Sequence, residues 1–345
     1  MEFLYEYGLF FAKTITFVIA FGLIVAIAAS AKKSKGQKKG ELEITNLSEK
    51  YKDITDAIES ELFSKDELKQ KEKAAKLKAK QEKKEKKNKT EPETKSRVYV
   101  IDFKGSVDAN EVDGLREEIT AVLSVAKPED EVLVRLESGG GVVHGYGLAA
   151  SQLARFKAKN IPLTVSIDKV AASGGYMMAC VADKILAAPF AIVGSIGVIA
   201  QIPNFHKLLK KNDVEFEQVT AGEYKRTLTM FGENTDKGRE KFKHELEEIH
   251  QHFVEHIETF RKDMDVRQVA TGEHWLATKA KDLGLVDELS TSDDYLIEKI
   301  NSADVVQVKY QVAKSMMEKL PFAASKGAEN ILTSLYQKMT ELKFR

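Results

Sequence analysis

Val132-Leu133-Val134-Arg135-Leu136-Glu137-Ser138-Gly139-Gly140-Gly141-Val142 is the stretch on which the reading of the folded part of this chain turns. Its first residues form an apolar run of strand length, and the three glycines stop it. A helical pattern follows to about Lys159, and Leu163–Ile167 is the next strand-like run. Upstream, Val98–Phe103 (VYVIDF) is a similar run, followed by Val112, Leu115, Ile119 and Leu123 on one helical face. Strands that alternate with helices predict an α/β domain with largely parallel strands, because parallel neighbours need crossover connections. Further along, the pattern predicts a helix over Asn204–Lys211, a short strand over Val214–Val219, a long charged helix from about Thr235 to Asp263, and a strand-like run from Val305 followed by amphipathic helix.

The rest of the chain surrounds that domain with two other kinds of sequence. Thr14–Ala31 (TITFVIAFGLIVAIAASA) holds 18 residues without a charge, enough for a helix of about 27 Å that crosses a bilayer. Ala29-Ser30-Ala31 also resembles a signal-peptide cleavage site, but the run is long for that purpose, and Glu2 and Glu6 stand where a basic flank would be. A retained anchor is the better reading. Lys32, Lys33, Lys35, Lys38 and Lys39 follow it, and the positive-inside rule places that flank in the cytoplasm.

Weak helical periodicity from Leu42 to Leu68 leads into KQKEKAAKLKAKQEKKEKKNKTEPETK (Lys69–Lys95), which cannot form a core and reads as a solvated helical or extended spacer. Glutamates interrupt its lysines and no aromatics interleave, so nucleic acid is not the expected partner; Lys plus Arg and Asp plus Glu also balance at 53 each. The expected organisation is an anchor with its basic flank over 1–40, a charged linker over 41–96 and a folded domain with a helical tail over 97–345. The lone cysteine, Cys180, excludes an internal disulfide and a cysteine-rich metal site.

Three elements carry chemistry. Ser138 and the glycines Gly139–Gly141 follow a strand, where consecutive glycines can turn backbone N–H groups toward a ligand. Alone, they are equally a turn. Ala171-Ala172-Ser173-Gly174-Gly175-Tyr176 sets a serine between a strand and an apolar helical run, with the Gly174 amide beside it; an N-cap serine would look the same. Gly222-Glu223-Tyr224-Lys225-Arg226 holds a lysine beside an aromatic. A lysine acts as a base only when burial draws its pKa well below the usual value of about 10.4.

Together and in this order, with the Gly194–Val198 run (GSIGV), these elements resemble the signal peptide peptidase A family of serine peptidases, family S49, over roughly Val98–Leu289. The resemblance implies a Clp/crotonase-like fold. Ser173 would be the nucleophile and Lys225 the base, with Gly174 and either Gly140 or Gly141 as oxyanion donors. It also implies a ring-like homo-oligomer in which the lysine reaches a neighbour's serine, no metal or cofactor, and polypeptide substrates such as signal peptides or unfolded and membrane-associated chains. The setting would be the bacterial inner membrane, contacted through the amino-terminal helix. Family members act on its outer side, whereas the lysine flank points the domain inward. Gly139 departs from the family pattern, which has proline there.

Two other functions fit parts of the sequence. A crotonase-type acyl-CoA enzyme would use the same oxyanion amides, but has no use for the anchor or the Ser173/Lys225 pair. A catalytically silent membrane scaffold would keep the fold alone. His244, His250, His252 and His256 cluster in one helical stretch, and the four-residue spacing of His252 and His256 suits a metal, but the zincin pattern is absent: His244 opens HELEE, with Glu248 in place of the second histidine. His144 has no assigned role.

Overall fold

The computed structural model describes residues 40–71 and 95–311, with scattered positions between 7 and 22 and at 73 and 77. Leu42–Tyr310 forms one compact unit. Its frame is a seven-stranded sheet in the order β1-β10-β2-β3-β4-β6-β9. The strands are β1 (Glu41–Asn46), β2 (Arg97–Lys104), β3 (Glu131–Glu137), β4 (Leu163–Ile167), β6 (Lys184–Ala187), β9 (Glu288–Leu289) and β10 (Asp304–Gln311). From β10 through to β9 every neighbouring pair is parallel. A second sheet joins β5 (Val170–Ala172), β7 (Ile192–Gly194) and β8 (His274–Leu276), the last antiparallel. The mostly parallel α/β architecture expected from the sequence is therefore present.

Both faces of the large sheet are covered, which is why its strands read as unbroken apolar runs. Side chains alternate across a strand: Tyr99, Ile101 and Phe103 of β2 and Val132, Val134 and Leu136 of β3 enter one core, while Val98, Val100 and Leu133 enter another. The first core is closed by α2 (Val112–Val125), α3 (Val143–Ala158) and α4 (Gly174–Ala179), through Leu115, Ile119, Leu153, Phe156 and Met178. The second is closed by α1 (Leu47–Leu62) and α9 (Ser292–Lys299), through Leu47, Tyr295 and Leu296.

That second core corrects the expected linker boundary. Residues 42–62 belong to the folded unit: β1 lies at the sheet edge, and Leu47 is buried against the sheet. Asn46 caps α1 by accepting from the Glu49 amide, and Ser48 Oγ accepts from the Val305 amide of β10 at 2.9 Å. Without α1, the apolar face of Val98, Val100 and Val305 would lose part of its cover. Most of the lysine-rich run 69–95 lies outside the described residues.

The expected span 14–31 also lies outside the described residues except at 14–18 and 22. Among the described residues, no helix is long and apolar enough to cross a membrane. The tail beyond 311 is likewise outside them.

A second correction concerns Val214–Val219, which forms no strand. A strand needs a neighbour for its backbone, and here Val214, Phe216 and Val219 stand exposed on a segment between α5 (His206–Lys211) and α6 (Asp236–Phe260). No residue from Ile199 to Thr235 is buried. Of the remaining helices, α7 (Val266–Val269) packs on α6 and α8 (Ala277–Asp282) beside β8, and both contribute to the first core.

Candidate active site

The carboxyl ends of β3 and β5 meet beside the start of α4. Ser138 bridges in parallel to Ala171, its amide donating to Val170 O at 2.9 Å while Ala172 N donates to Ser138 O at 3.0 Å. This pairing lays the glycine loop against the turn that carries Ser173. At Ser173 the backbone takes φ 51° and ψ −119°, a left-handed conformation that an L-residue adopts only when its surroundings force it. The surroundings do so: Ser173 N donates to Gly194 O at 2.8 Å, Ser173 O accepts from Met177 N at 3.0 Å, and every residue of α4 is buried. Although Ser173 occupies the N-cap position, its side chain makes no capping hydrogen bond. The N-cap explanation of this serine therefore fails, and its hydroxyl is left for other work.

Close approach explains the glycine at 140. A methyl group there would stand 2.6 Å from Gly174 N and 2.8 Å from Ser173 Cβ, and the residue takes φ +85°. Gly139 is different: it is exposed, its φ is not positive, and nothing crowds the place of a side chain. The departure from the family's proline is thus sterically harmless.

Gly140 N donates to Ser138 Oγ at 3.1 Å and is committed there. The amides of Gly141 and Gly174 have no partner among the described residues.

Ser173, Gly140 and Gly141 line a cavity of about 660 Å³, whose other walls include Ser195, Lys243 and His250. A smaller recess of about 80 Å³ opens from the same serine between Met177, Val198, Ile199, Ile249 and Phe253. Another cavity, about 400 Å³, lies between Lys157 and Arg261. Two of its charges are paired, Lys157 with Asp183 at 2.5 Å and Arg261 with Asp287 at 2.7 Å.

Lys225 is absent from the lining of both Ser173 cavities and is exposed in its own chain. The structure thus brings together Ser173, Gly140, Gly141 and Gly174, and leaves Lys225 apart on the exposed segment 199–235.

The histidines separate as well. His244 faces Glu248 at 3.3 Å and His252 faces Glu255 at 3.2 Å on the surface of α6. His256 turns inward, donating Nε2–H to Met177 O at 3.0 Å; burial lowers its pKa against the opposing effect of that hydrogen bond. His250 reaches the cavity wall, and its buried Nε2 has no partner among the described residues. Among the described residues, no three His, Cys, Asp or Glu side chains converge as a metal site would require. His144 is exposed on α3. Burial raises the pKa of the Cys180 thiol, so it is no rival nucleophile.

Three cavity-wall residues are given no role by the sequence: Ser195, at φ 52°, stands in the Gly194–Val198 run, His250 in the histidine-rich helix, and Lys243 on the same charged helix without any signal of its own. Folding alone brings them to Ser173.

Comparison with known proteins then decides the family. Residues 2–153 match the N-terminal model of peptidase family S49, and residues 155–306 match the model of peptidase family S49 itself. The chain belongs to peptidase family S49. It is 50% identical to the "Probable protease SohB" of Haemophilus influenzae over 94% of each chain. It is 48% identical to the protein of the same name from Buchnera aphidicola subsp. Acyrthosiphon pisum, over 97% of this chain and 98% of that one. Among solved structures, a membrane-bound stomatin-specific protease aligns with a TM-score of 0.41 at 14% identity, covering 64% of this chain and 100% of its own. Family membership assigns this S49 chain to the serine-type peptidases.

Proposed function

We propose that this S49 chain is a membrane-anchored serine endopeptidase in which Ser173 is the nucleophile and Lys225 of a neighbouring protomer is the general base. The observation that carries this reading is the turn at Ser173: strained to φ 51°, free of a capping bond, and opening into a cavity beside two unpartnered amides. Ser173 Oγ attacks the scissile carbonyl carbon as its proton passes to a neutral Lys225 amine. The carbonyl oxygen becomes an oxyanion held by the Gly174 and Gly141 amides. The C–N bond breaks as Lys225 returns the proton to the leaving amine, and water, activated by the same lysine, hydrolyses the acyl-enzyme.

Exposure of Lys225 favours a base supplied between chains. A lysine base needs burial, and this one lacks it within its own chain. Ile199, Val214, Phe216 and Val219 on the same segment are also exposed, as expected of a surface that another protomer covers. The ring-like assembly inferred from the family would bury both. The apolar run 14–31 would hold the enzyme in the bacterial inner membrane, and the open cavity suits an extended polypeptide such as a signal peptide or an unfolded or membrane-associated chain. The relatives named as proteases support the same activity.

The test is cleavage of an unstructured protein by the full chain in detergent, with Ser173→Ala, Lys225→Ala and an equal mixture of the two reassembled together. Each variant alone should be inert, and the mixture should recover activity because some sites combine an intact serine with an intact lysine. Cleavage by Ser173→Ala would sink the nucleophile assignment. Inert single variants whose mixture, shown to have exchanged protomers, stays inert would return the lysine to its own chain.

A further inference from the structure

Tyr146 is a fully buried tyrosine whose hydroxyl lies within hydrogen-bond reach of two loops at the site. It donates to Ser106 O at 2.8 Å, in the loop after β2, and lies 2.5 Å from Ser138 Oγ, in the loop after β3. Counting protons fixes the direction of the chain. A phenol has one proton to give, and the Ser106 carbonyl can only accept. Ser138 must therefore donate to Tyr146, and with its own proton spent it accepts from Gly140 N–H at 3.1 Å. The order is Gly140 N–H to Ser138 hydroxyl to Tyr146 hydroxyl to Ser106 carbonyl, a series in which each bond polarises the next.

The far end is anchored. Ser106 N and Oγ both donate to Glu111 Oε2, at 3.0 and 2.9 Å. Burial pushes the Glu111 pKa up, but these hydrogen bonds prevail and hold it below the ordinary carboxylate value, keeping it ionised as their acceptor. The ring of Tyr146 supports the other wall: a methyl group on Gly174 would stand 2.4 Å from Tyr146 Cγ. One side chain thus sets the position of both amides flanking Ser173, Gly174 through ring contact and Gly141 through the committed Gly140 peptide.

We infer that Tyr146 and Ser138 are positioning residues that hold the Gly141 and Gly174 amides in register for the oxyanion, a step that rests on the peptidase reading above. Tyr146 lines the small recess beside Ser173, but both hydroxyls are engaged within the series and not offered to substrate. Removing the phenol oxygen takes away the acceptor that fixes the Ser138 hydroxyl; Ser138 then holds the Gly140 N–H less firmly, and the adjoining amide of Gly141 loses its fixed aim. The loss falls on the transition state, where charge develops, and leaves ground-state binding of the peptide intact.

Tyr146→Phe in the full-length enzyme keeps the ring against Gly174 and removes only the hydroxyl. The expected result is a kcat reduced about 10- to 100-fold, as sub-ångström misplacement of a catalytic dipole produces, with KM within about twofold and oligomeric size unchanged. A peptide aldehyde, whose adduct with Ser173 carries the oxyanion, should lose affinity in proportion to kcat/KM. Affinity for the uncleaved peptide, measured on a Ser173→Ala background, should not change. Ser138→Ala should repeat the pattern, and the double variant should be no worse than the poorer single one because all three break the same series.

A folded Tyr146→Phe with undiminished kcat overturns the inference, as does a loss confined to KM or equal weakening of aldehyde and uncleaved peptide. If Tyr146→Phe fails to fold, Ser138→Ala decides by the same criteria. Continued cleavage by Ser173→Ala overturns the nucleophile reading itself, and with it this inference, and is separately visible.

Discussion

From Ala171 to Val181 every residue except Ser173 is buried, whereas from Ile199 to Thr235 none is. The first stretch is supported wholly by its own chain: β5 pairs with β7, α4 sits in the core, and Met177 O receives a hydrogen bond from His256 of α6. The second carries apolar side chains such as Val219, 88% exposed, and Ile199, 78% exposed, with nothing of its own to cover them. One region is finished by folding, and the other is suited to being finished by association. In the proposed enzyme the nucleophile stands on the first and the base on the second, so chemistry would begin only when both conditions are met.

The largest expected effect tests the finished region. Ser173→Ala should cut cleavage about 10⁴-fold or more while leaving melting temperature and assembly intact; a residual rate near wild type in an activity assay would break the contrast. Next is its packing. Leu153→Ala in α3, fully buried in the first core, should cost about 2–5 kcal/mol in denaturant titration, whereas a loss below about 0.5 kcal/mol would mean this core is looser than its burial implies.

Glu118 gives a smaller, pH-dependent effect in the same region. The residue is buried on α2 and accepts from the Tyr310 amide at 2.7 Å. Burial raises its pKa to about 7, against the lowering effect of that hydrogen bond, with Asp102 adding to the rise. The native state therefore retains a proton that the unfolded chain releases from about pH 4.5 upward. Its contribution to stability is complete below that pH, and is lost as pH climbs through about 7. Glu118→Gln should raise stability at pH 8 by about 1–3 kcal/mol and flatten this part of the pH profile. An unchanged slope in thermal melts between pH 5 and 8 would remove Glu118 from that role.

The smallest effect on stability tests the unfinished region. Val219→Asp should change the stability of the single chain by less than about 0.5 kcal/mol, yet shift the assembly toward smaller species in light scattering and lower activity with it. A variant that assembles and cleaves normally would show that this surface is not what neighbouring protomers cover.

The same contrast explains what the sequence revealed. β2, β3 and β4 were legible because a strand covered on both faces is a continuous apolar run, and the glycines beside Ser173 were legible because close packing admits nothing larger at Gly140. Val214–Val219 misled because its apolar alternation stands exposed, with no strand beside it to pair its backbone. Strands β5, β7, β8 and β9 are two or three residues long, too short for a period to register. The backbone strain at Ser173, the unpartnered amide of Gly141 and the meeting of Tyr146 with Ser138 depend on how separate loops converge. Nothing in the local sequence encodes that convergence. Leu47 reads as part of a linker because a helix that covers a sheet face with few residues leaves only a faint stripe.

That placement of α1 puts both sides of positions 72–94 in one folded body: the chain enters the second core by Leu47 before these positions and the sheet at Arg97 after them. A single cut within them should leave two fragments that stay associated through Leu47, Val98 and Val305, as the halves of a split protein do.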